Sequence, residues 1–255
     1  MIENYINKHS IMGMLSKNYI PFENWRGFYK KKDKTKIVVF DENFSSENFE
    51  EVNYYYIQDK PEVKKKYYST LLVSVFNNEF FELKGKENKE LRETRNKWNK
   101  EIVIKYDIEN IEDVINVIDN WDINSGVKYK WNKHSGYDRN FFRKYYEQEK
   151  KELISLFFYF GEKLIGYSIV SKIKEDDDNC YRYIIRKMDV SVGRNVCLYV
   201  DYKTFEHIWR EENKEYFINW GASSGNVLKY KKKFPVYLEK RVWFYKRKKN
   251  DKEII

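Results

Sequence analysis

Residues 154–173 read ISLFFYFGEKLIGYSIVSKI. Two runs of aromatic and β-branched residues flank a tight turn at Gly161-Glu162-Lys163, which is the pattern of a β-hairpin. The segment YRYIIRK (181–187) has the same composition and is expected to pair beside it. Just upstream, Ile111, Val114, Ile115, Ile118 and Trp121 recur at helical spacing within ENIEDVINVIDNW (109–121). The strand-like EIVIKY (101–106) precedes that helix, and a polar loop at 124–136 leads to a second helix at 138–153 with Asp138 as its N-cap. Downstream, Val196, Tyr199, Val200, Phe205, Ile208 and Trp209 mark another helix. A short strand EYFIN (215–219), a Gly/Ser turn, a brief basic helix and a final strand VYLEKRVWFYK (236–246) follow. Helix, helix, hairpin, strand, helix, strand, helix, strand predicts an α/β (α+β) layer fold with a mixed sheet flanked by helices.

The first third reads differently. KIVVF (36–40), NYYYI (53–57) and STLLVSVF (69–76) are short strand signals separated by charged or Asn-rich turns. KENKELRETRNKWNK (86–100) then reads as a polar, basic, solvent-exposed helix without Gly or Pro. This change of composition places a seam near residue 84, with a mostly β subdomain at 1–83 and a second domain at 84–255.

The chain has 255 residues, of which 42% are hydrophobic and 35% charged, so it can bury a core and is not a disordered polymer. Its 23 Tyr, single Ala (Ala222) and three Pro follow the bias of AT-rich codons, as in a low-GC bacterium or its virus. The net charge of +9 favours polyanions such as tRNA or DNA through a basic face, although Lys-rich codon bias explains charge alone equally well. No apolar run approaches the roughly 20 residues that cross a bilayer, and MIENYINKHS lacks the pattern of a signal peptide. A cytoplasmic protein without transmembrane association is expected. Cys180 and Cys197, with His9, His134 and His207 scattered, predict neither a structural metal nor a functional disulfide. KRKKNDKEII (246–255) reads as a frayed end. No Ser-His-Asp or Cys-His set, P-loop or HExxH motif is present, which leaves hydrolase, kinase and metalloprotease readings without a starting point.

Several residues stand where chemistry is done in such sheets. Arg186, Lys187 and Asp189 end a strand and enter the loop MDVSVGRNV (188–196), where Gly193, Arg194 and Asn195 can cradle an anion. Asp189 suits a proton acceptor for an amine, or simply a loop cap paired with Lys187. Asn219, Ser223 and Ser224 lie in a Gly/Ser segment before a helix, where amides and hydroxyls can meet a substrate oxygen or merely start the helix. Arg92 and Arg95 share a helix face near Lys84 and Asn96, either to bind phosphates or as a solvated face.

Three ordered segments carry a family resemblance: FFELKGKENKELRETRNKWNK (80–100), LFFYFGEKLIGYSIVSK (156–172) and YFINWGASSGNVLKYKKKFPVYLEKRVWFYK (216–246). Together they resemble the GNAT-like group that includes the C-terminal domain of phosphatidylglycerol lysyltransferases. The last segment also resembles FemABX-type aminoacyltransferases through Tyr230-Lys231-Lys232-Lys233-Phe234. The resemblance spans residues 70–246 and implies a GNAT-like fold, with residues 1–83 as a degenerate GNAT-like half. It implies transfer of an acyl or aminoacyl group onto an amine or hydroxyl, with an acyl-CoA or aminoacyl-tRNA as donor. The acceptor is a small molecule or a nucleic acid, including a modified base in viral DNA. It matches Lys231 to the FemABX-type lysine and favours binding for Lys84, Arg92, Arg95 and Asn96; with the positional readings above, Asp189, Asn219 and Lys231 are the expected catalytic residues, and Lys84, Arg92, Arg95, Asn96 and Lys229 the expected substrate- or nucleic-acid-binding ones. The chain departs from acetyl-CoA-dependent members, whose phosphate loop carries several glycines, by having only Gly193 there. That departure keeps open a second reading, a non-catalytic nucleic-acid- or protein-binding module on a decayed GNAT scaffold.

Overall fold

The computed structural model describes residues 19–21, 27–30, 32–39, 48–57, 66–124, 138–173 and 179–248. The chain forms two compact units, one of Met1–Ser74 with Asn219–Ile255 and one of Val75–Ile218. These units are drawn differently from the expected 1–83 and 84–255, because the C-terminal strand pairs back onto strands of the first third.

In the unit formed by the two chain ends, the strands are β1 (Tyr19–Pro21), β2 (Gly27–Lys30), β3 (Asp33–Val39), β4 (Glu51–Ile57), β5 (Lys66–Phe76), β10 (Tyr216–Ser223) and β11 (Val236–Lys248). Their order is β1-β2-β3-β4-β11-β5-β10, with β5 and β10 each crossing between the units. β3 and β4 are parallel, while β11 runs antiparallel to both β4 and β5. The parallel β3–β4 pair among antiparallel neighbours makes the sheet mixed. Cross-strand aromatic pairs hold β11 in register: Tyr54 stacks on Tyr245 at 4.6 Å and Tyr67 on Phe244 at 4.9 Å between centroids. Lys246–Lys248, expected to fray, complete β11, and Lys246 Nζ lies 2.6 Å from a Glu51 carboxylate oxygen. Residues 249–255 lie outside the described residues.

In the central unit the order is β10-β9-β8-β7-β6, built from β6 (Ile102–Lys105), β7 (Leu153–Phe160), β8 (Lys163–Lys172) and β9 (Cys180–Met188). The hairpin read from residues 154–173 is present, with β7 and β8 paired antiparallel about the Gly161–Glu162 turn. Helices α1 (Asn78–Phe81), α2 (Lys89–Trp98), α3 (Ile111–Asn124), α4 (138–152, including a π-helical turn at Phe142–Tyr146) and α5 (Val196–Glu212) belong to this unit. One face of the sheet buries Leu156, Phe158, Ile165 and Met188 with Trp98 of α2 and Val196, Tyr199 and Val200 of α5. The opposite face packs Phe157 against Tyr146 and Tyr167 against Phe142 of α4. Strand alternation thus sends neighbouring residues to helices on opposite sides. This is the expected α+β, GNAT-like arrangement of a mixed sheet flanked by helices.

Two local readings change. β10 continues to Ser223, so Asn219 and Trp220 belong to the strand and not to a Gly/Ser loop. The Asn219 Oδ1 accepts the Gly221 amide at 2.8 Å, and Gly221 sits at φ 71, a left-handed kink that glycine takes without Cβ strain. Helix α6 (Gly225–Lys231) follows, with Ser224 in the cap position but making no side-chain cap bond. The polar loop expected at 124–136 falls almost wholly outside the described residues, and Asp138 stands buried in the first turn of α4.

Candidate functional site

The C-terminal end of β9, the following loop and the start of α5 gather most of the residues expected to bind a donor. Asp189 is 3% exposed and caps the short 3-10 turn Val190–Val192. Its Oδ1 accepts Ser191 N at 3.1 Å and Ser191 Oγ at 2.5 Å, while Lys163 Nζ approaches Oδ2 at 3.1 Å. Burial alone would raise the Asp189 carboxyl, but these hydrogen bonds outweigh it and hold the group below its ordinary value. A carboxylate so satisfied suits the loop-capping alternative better than proton abstraction, and its cation is Lys163 rather than Lys187.

Arg186 and Lys187 do not face one ligand. Register places Arg186 opposite Ser168 and Lys187 opposite Tyr167, on the two faces of the sheet. Arg186 Nη1 lies 3.1 Å from Asp201 Oδ2 on α5 and 3.4 Å from the Cys197 carbonyl. Tyr183 donates its hydroxyl to Asp201 Oδ1 at 2.6 Å. A register shift between Ile169 and Val170 lets Tyr183 and Arg186, three residues apart, reach the same carboxylate. Asp201 is fully buried, and the adjoining Ser168 and Thr204 hydroxyls bond to each other at 2.6 Å. Burial and the neighbouring Asp201 charge push the Tyr183 hydroxyl far above its ordinary value, so it stays a neutral donor.

Lys187, on the other face, lies 3.3 Å from Asp138 Oδ2 and 3.4 Å from the centre of the Trp121 ring. Burial raises the Asp138 carboxyl to about 6 against the attraction of Lys187. Among the described residues the buried Tyr167 hydroxyl meets no hydrogen-bond partner. Sequence reading missed this cluster, because its members come from α3, α4, β8 and β9 and no local spacing connects them.

Gly193 is dictated by close approach. A Cβ there would stand 2.9 Å from Cζ2 and Cη2 of Trp98. Asn195 begins α5 in a left-handed conformation (φ 64) and does not cap it, since its Nδ2 donates to Glu90 Oε1 on α2 at 3.2 Å. Arg194 is exposed beside that uncapped first turn. Tyr199 OH donates to Asn99 Oδ1 at 3.1 Å, so α2 and the loop-α5 corner form one packed piece. The polar helix and the anion loop, about 100 residues apart in sequence, are thus brought together.

On α2 the cations separate by role. Arg92 Nη1 donates to the carbonyls of Leu83 and Gly85, the latter at 2.6 Å, and locks the LKGK turn in which both residues have positive φ. Arg95 borders Asn96 Oδ1 at 3.3 Å and the Tyr202 hydroxyl. Lys84 is exposed and pairs with Glu82 at 2.8 Å.

The unit of the chain ends holds its own cluster. Lys231 Nζ donates to the Trp220 carbonyl at 2.8 Å and to Ser223 Oγ at 2.6 Å. Asn219 is 1% exposed, and Trp220 Nε1 donates to Ser74 Oγ at 2.8 Å. Ser223 and Lys231 therefore sit together, whereas the Asn219 side chain is taken up by the Gly221 amide, and Ser224 and Lys229 are exposed on the adjoining helix start and surface.

Among the described residues no group of three or more His, Cys, Asp or Glu side chains is placed to hold a metal ion, and no helix is long and apolar enough to cross a membrane. No family model and no curated protein matches the chain. Solved structures do. The C-terminal domain of a candidate lysylphosphatidylglycerol synthetase from Agrobacterium fabrum superposes with TM-score 0.58 at 12% identity, covering 98% of this chain and 90% of that one. L-PGS from Bacillus licheniformis gives TM-score 0.55 at 10% identity over 92% and 84%. A conserved protein of unknown function from Bacteroides thetaiotaomicron gives 0.57 at 12% over 86% and 81%. At such identities the likeness is one of fold, and the fold is the GNAT-like one.

Proposed function

We propose that this chain is an acyltransferase that passes an acyl or aminoacyl group from an activated donor to an amine or hydroxyl acceptor. The observation that carries the reading is the corner at Gly193-Arg194-Asn195. A helix of 17 residues begins there without a side-chain cap, an exposed guanidinium stands beside its first turn, and α2 supplies further cations nearby. Open amides and a positive dipole end favour an anion, and Arg194 adds charge-assisted donors. A donor carrying phosphates, an acyl-CoA or an aminoacyl-tRNA, matches that chemistry. One of the similar structures belongs to a protein named as a lysylphosphatidylglycerol synthetase, which supports an aminoacyl group as cargo.

In this reading the chain works mainly by holding donor and acceptor in line. Arg194, Gly193 and the first amides of α5 hold the phosphates. Taken by itself, the unit of the chain ends offers Lys231 and Ser223, joined by a hydrogen bond, as an ammonium and a hydroxyl suited to an oxygen bearing negative charge. The exposed Lys84 and the exposed Lys229 are each cations suited to the phosphates of tRNA or DNA. The engagement of Arg92, Arg186 and Asp189 in internal bonds favours one rival, a binding module without catalysis.

The test is ligand-dependent melting of the purified protein with CoA, acyl-CoA, aminoacyl-tRNA, uncharged tRNA and duplex DNA. A transferase predicts stabilisation by one donor class, loss of that stabilisation in Arg194→Ala, and a labelled acyl product with an acceptor. Nucleic-acid binding untouched by Arg194→Ala, with no donor binding, would establish the module instead.

A further inference from the structure

We infer that the face of β5 and β11 around Tyr68 and Arg241 is a docking site for single-stranded RNA, with an unpaired base stacked on that pair and the cations of β11 on the phosphates. The transferase reading supplies only the choice of RNA over DNA, since an aminoacyl donor is an RNA. From Gly225 to Lys248 nine residues are Lys or Arg and one, Glu239, is acidic, so this stretch carries eight of the nine net positive charges of the chain. A codon bias towards Lys acts along the whole sequence, which holds 49 cations and 40 acids, and does not strip the acids from one stretch. Glu239 is itself met by Lys232 at 2.6 Å. A local surplus of that size favours a polyanion, whose bound counterions it releases.

The same strands supply a platform for a base. Tyr68 lies opposite Trp243 and Arg241 opposite Thr70, so strand alternation puts the Tyr68, Trp243 and Arg241 side chains on one face of the β5–β11 pair. The Tyr68 ring is 56% exposed, meets the Trp243 ring at a steep angle with centroids 5.4 Å apart, and carries the Arg241 guanidinium 4.5 Å from its centre. Trp243 is buried with Ile37, Val39, Val52 and Tyr54, so Tyr68 is braced by a fixed neighbour. Arg241 is exposed, and among the described residues it pairs with no carboxylate. A guanidinium held over a ring keeps its in-plane N–H donors for phosphate oxygens, while its own plane extends the stacking surface. Alternation places Arg247 on the same face, about 20 Å farther along β11.

The occupant follows from the pairing of ring and charge. A base inside a duplex is stacked on its neighbours and cannot reach a side-chain platform, whereas an unpaired base offers its faces to one. Single strands are held by aromatic stacking together with cations that track the backbone, and Tyr68, Arg241 and the remaining β11 cations bring both to one place. A lipid surface would need apolar side chains reaching past the cations into the acyl region, whereas here the guanidinium lies over the ring.

The experiment is fluorescence anisotropy of a labelled RNA hairpin with a short unpaired 3′ end, titrated with the full chain over a range of salt, beside the same hairpin without the overhang. The overhang should tighten binding by roughly tenfold, Tyr68→Ala should remove that gain, and Tyr68→Phe should keep it, because stacking uses the ring and not the hydroxyl. Arg241→Ala should weaken binding and reduce the slope of log affinity against log salt by about one, the mark of a lost phosphate contact that a merely structural role would not leave. Equal binding of the two hairpins, or an overhang gain untouched by Tyr68→Ala, overturns the inference; the first is read on the unaltered protein and decides the matter even if Tyr68→Ala fails to fold. Tighter binding of a DNA hairpin with the same overhang, or binding to phosphatidylglycerol vesicles without binding to RNA, overturns it as well. Overhang-dependent binding with no acyl product from any donor keeps the surface and removes the transferase reading. Acyl product from an aminoacyl-RNA, formed equally well by Tyr68→Ala and without an overhang effect, removes the surface and keeps the transferase.

Discussion

Replacing Asp138 by Asn should reverse the usual dependence of stability on pH at this one position. Asp138 is 5% exposed, and burial raises its carboxyl from the ordinary 3.8 to about 6 although Lys187 stands 3.3 Å away. A carboxyl raised on folding binds a proton more tightly in the native chain than in the unfolded one. Its contribution is therefore greatest at low pH and declines as pH rises from about 4 through 6. The size follows from the displacement, about 3 kcal/mol at 1.36 kcal/mol for each unit of pKa. Urea unfolding followed by circular dichroism on both proteins, from pH 4 to 7.5, measures it, because all other titrations occur in both chains and cancel in the difference. The stability of the unaltered protein minus that of Asp138→Asn should fall by about 2 kcal/mol across that range, part of the displacement being already spent at pH 4, and then level off. A difference that rises with pH would show that Lys187 dominates and that the carboxyl is depressed, which would refute the reasoning.

Asp201→Ala removes the buried carboxylate that Arg186 and Tyr183 share, so a loss of about 3–5 kcal/mol in the same denaturation assay is expected. Gly193→Ala pushes a methyl against Trp98 and should lower stability by about 1–3 kcal/mol, with donor-dependent melting weakened in step. Arg194→Ala, by contrast, should leave the melting temperature of the free protein unchanged and weaken binding of a phosphate-bearing donor by about tenfold or more, measured by calorimetry. Lys163→Ala should cost less than about 1 kcal/mol, because Lys163 is mostly exposed and Ser191 still holds Asp189.

The local elements were legible because their periodicities are strong. The aromatic runs around Gly161, the Ile111–Trp121 spacing and the Val196–Trp209 spacing each became the strand pair or helix they predict. Lys246–Lys248 and Asn219-Trp220 misled, because charged or glycine-bearing residues read as loop while cross-strand partners hold them in β11 and β10. The candidate site was legible only in part. The corner 193–195 proposed to hold an anion could be named from its Gly and Arg, but Asp138, Tyr167, Tyr183, Lys163 and Asp201 carried no spacing that marks them.

Sequence alone thus determined most of the strands and helices from residue 86 onward, their order, and the mixed helix-flanked sheet, since side-chain periodicity and turn chemistry act over a few residues. Tertiary structure alone decided that the C-terminal strand returns between β4 and β5, that adjacent Arg186 and Lys187 serve opposite faces, and that Asp138 is raised while Asp189 is lowered. Burial, register and the approach of distant charges set those outcomes, and each depends on partners the chain meets only after it has folded.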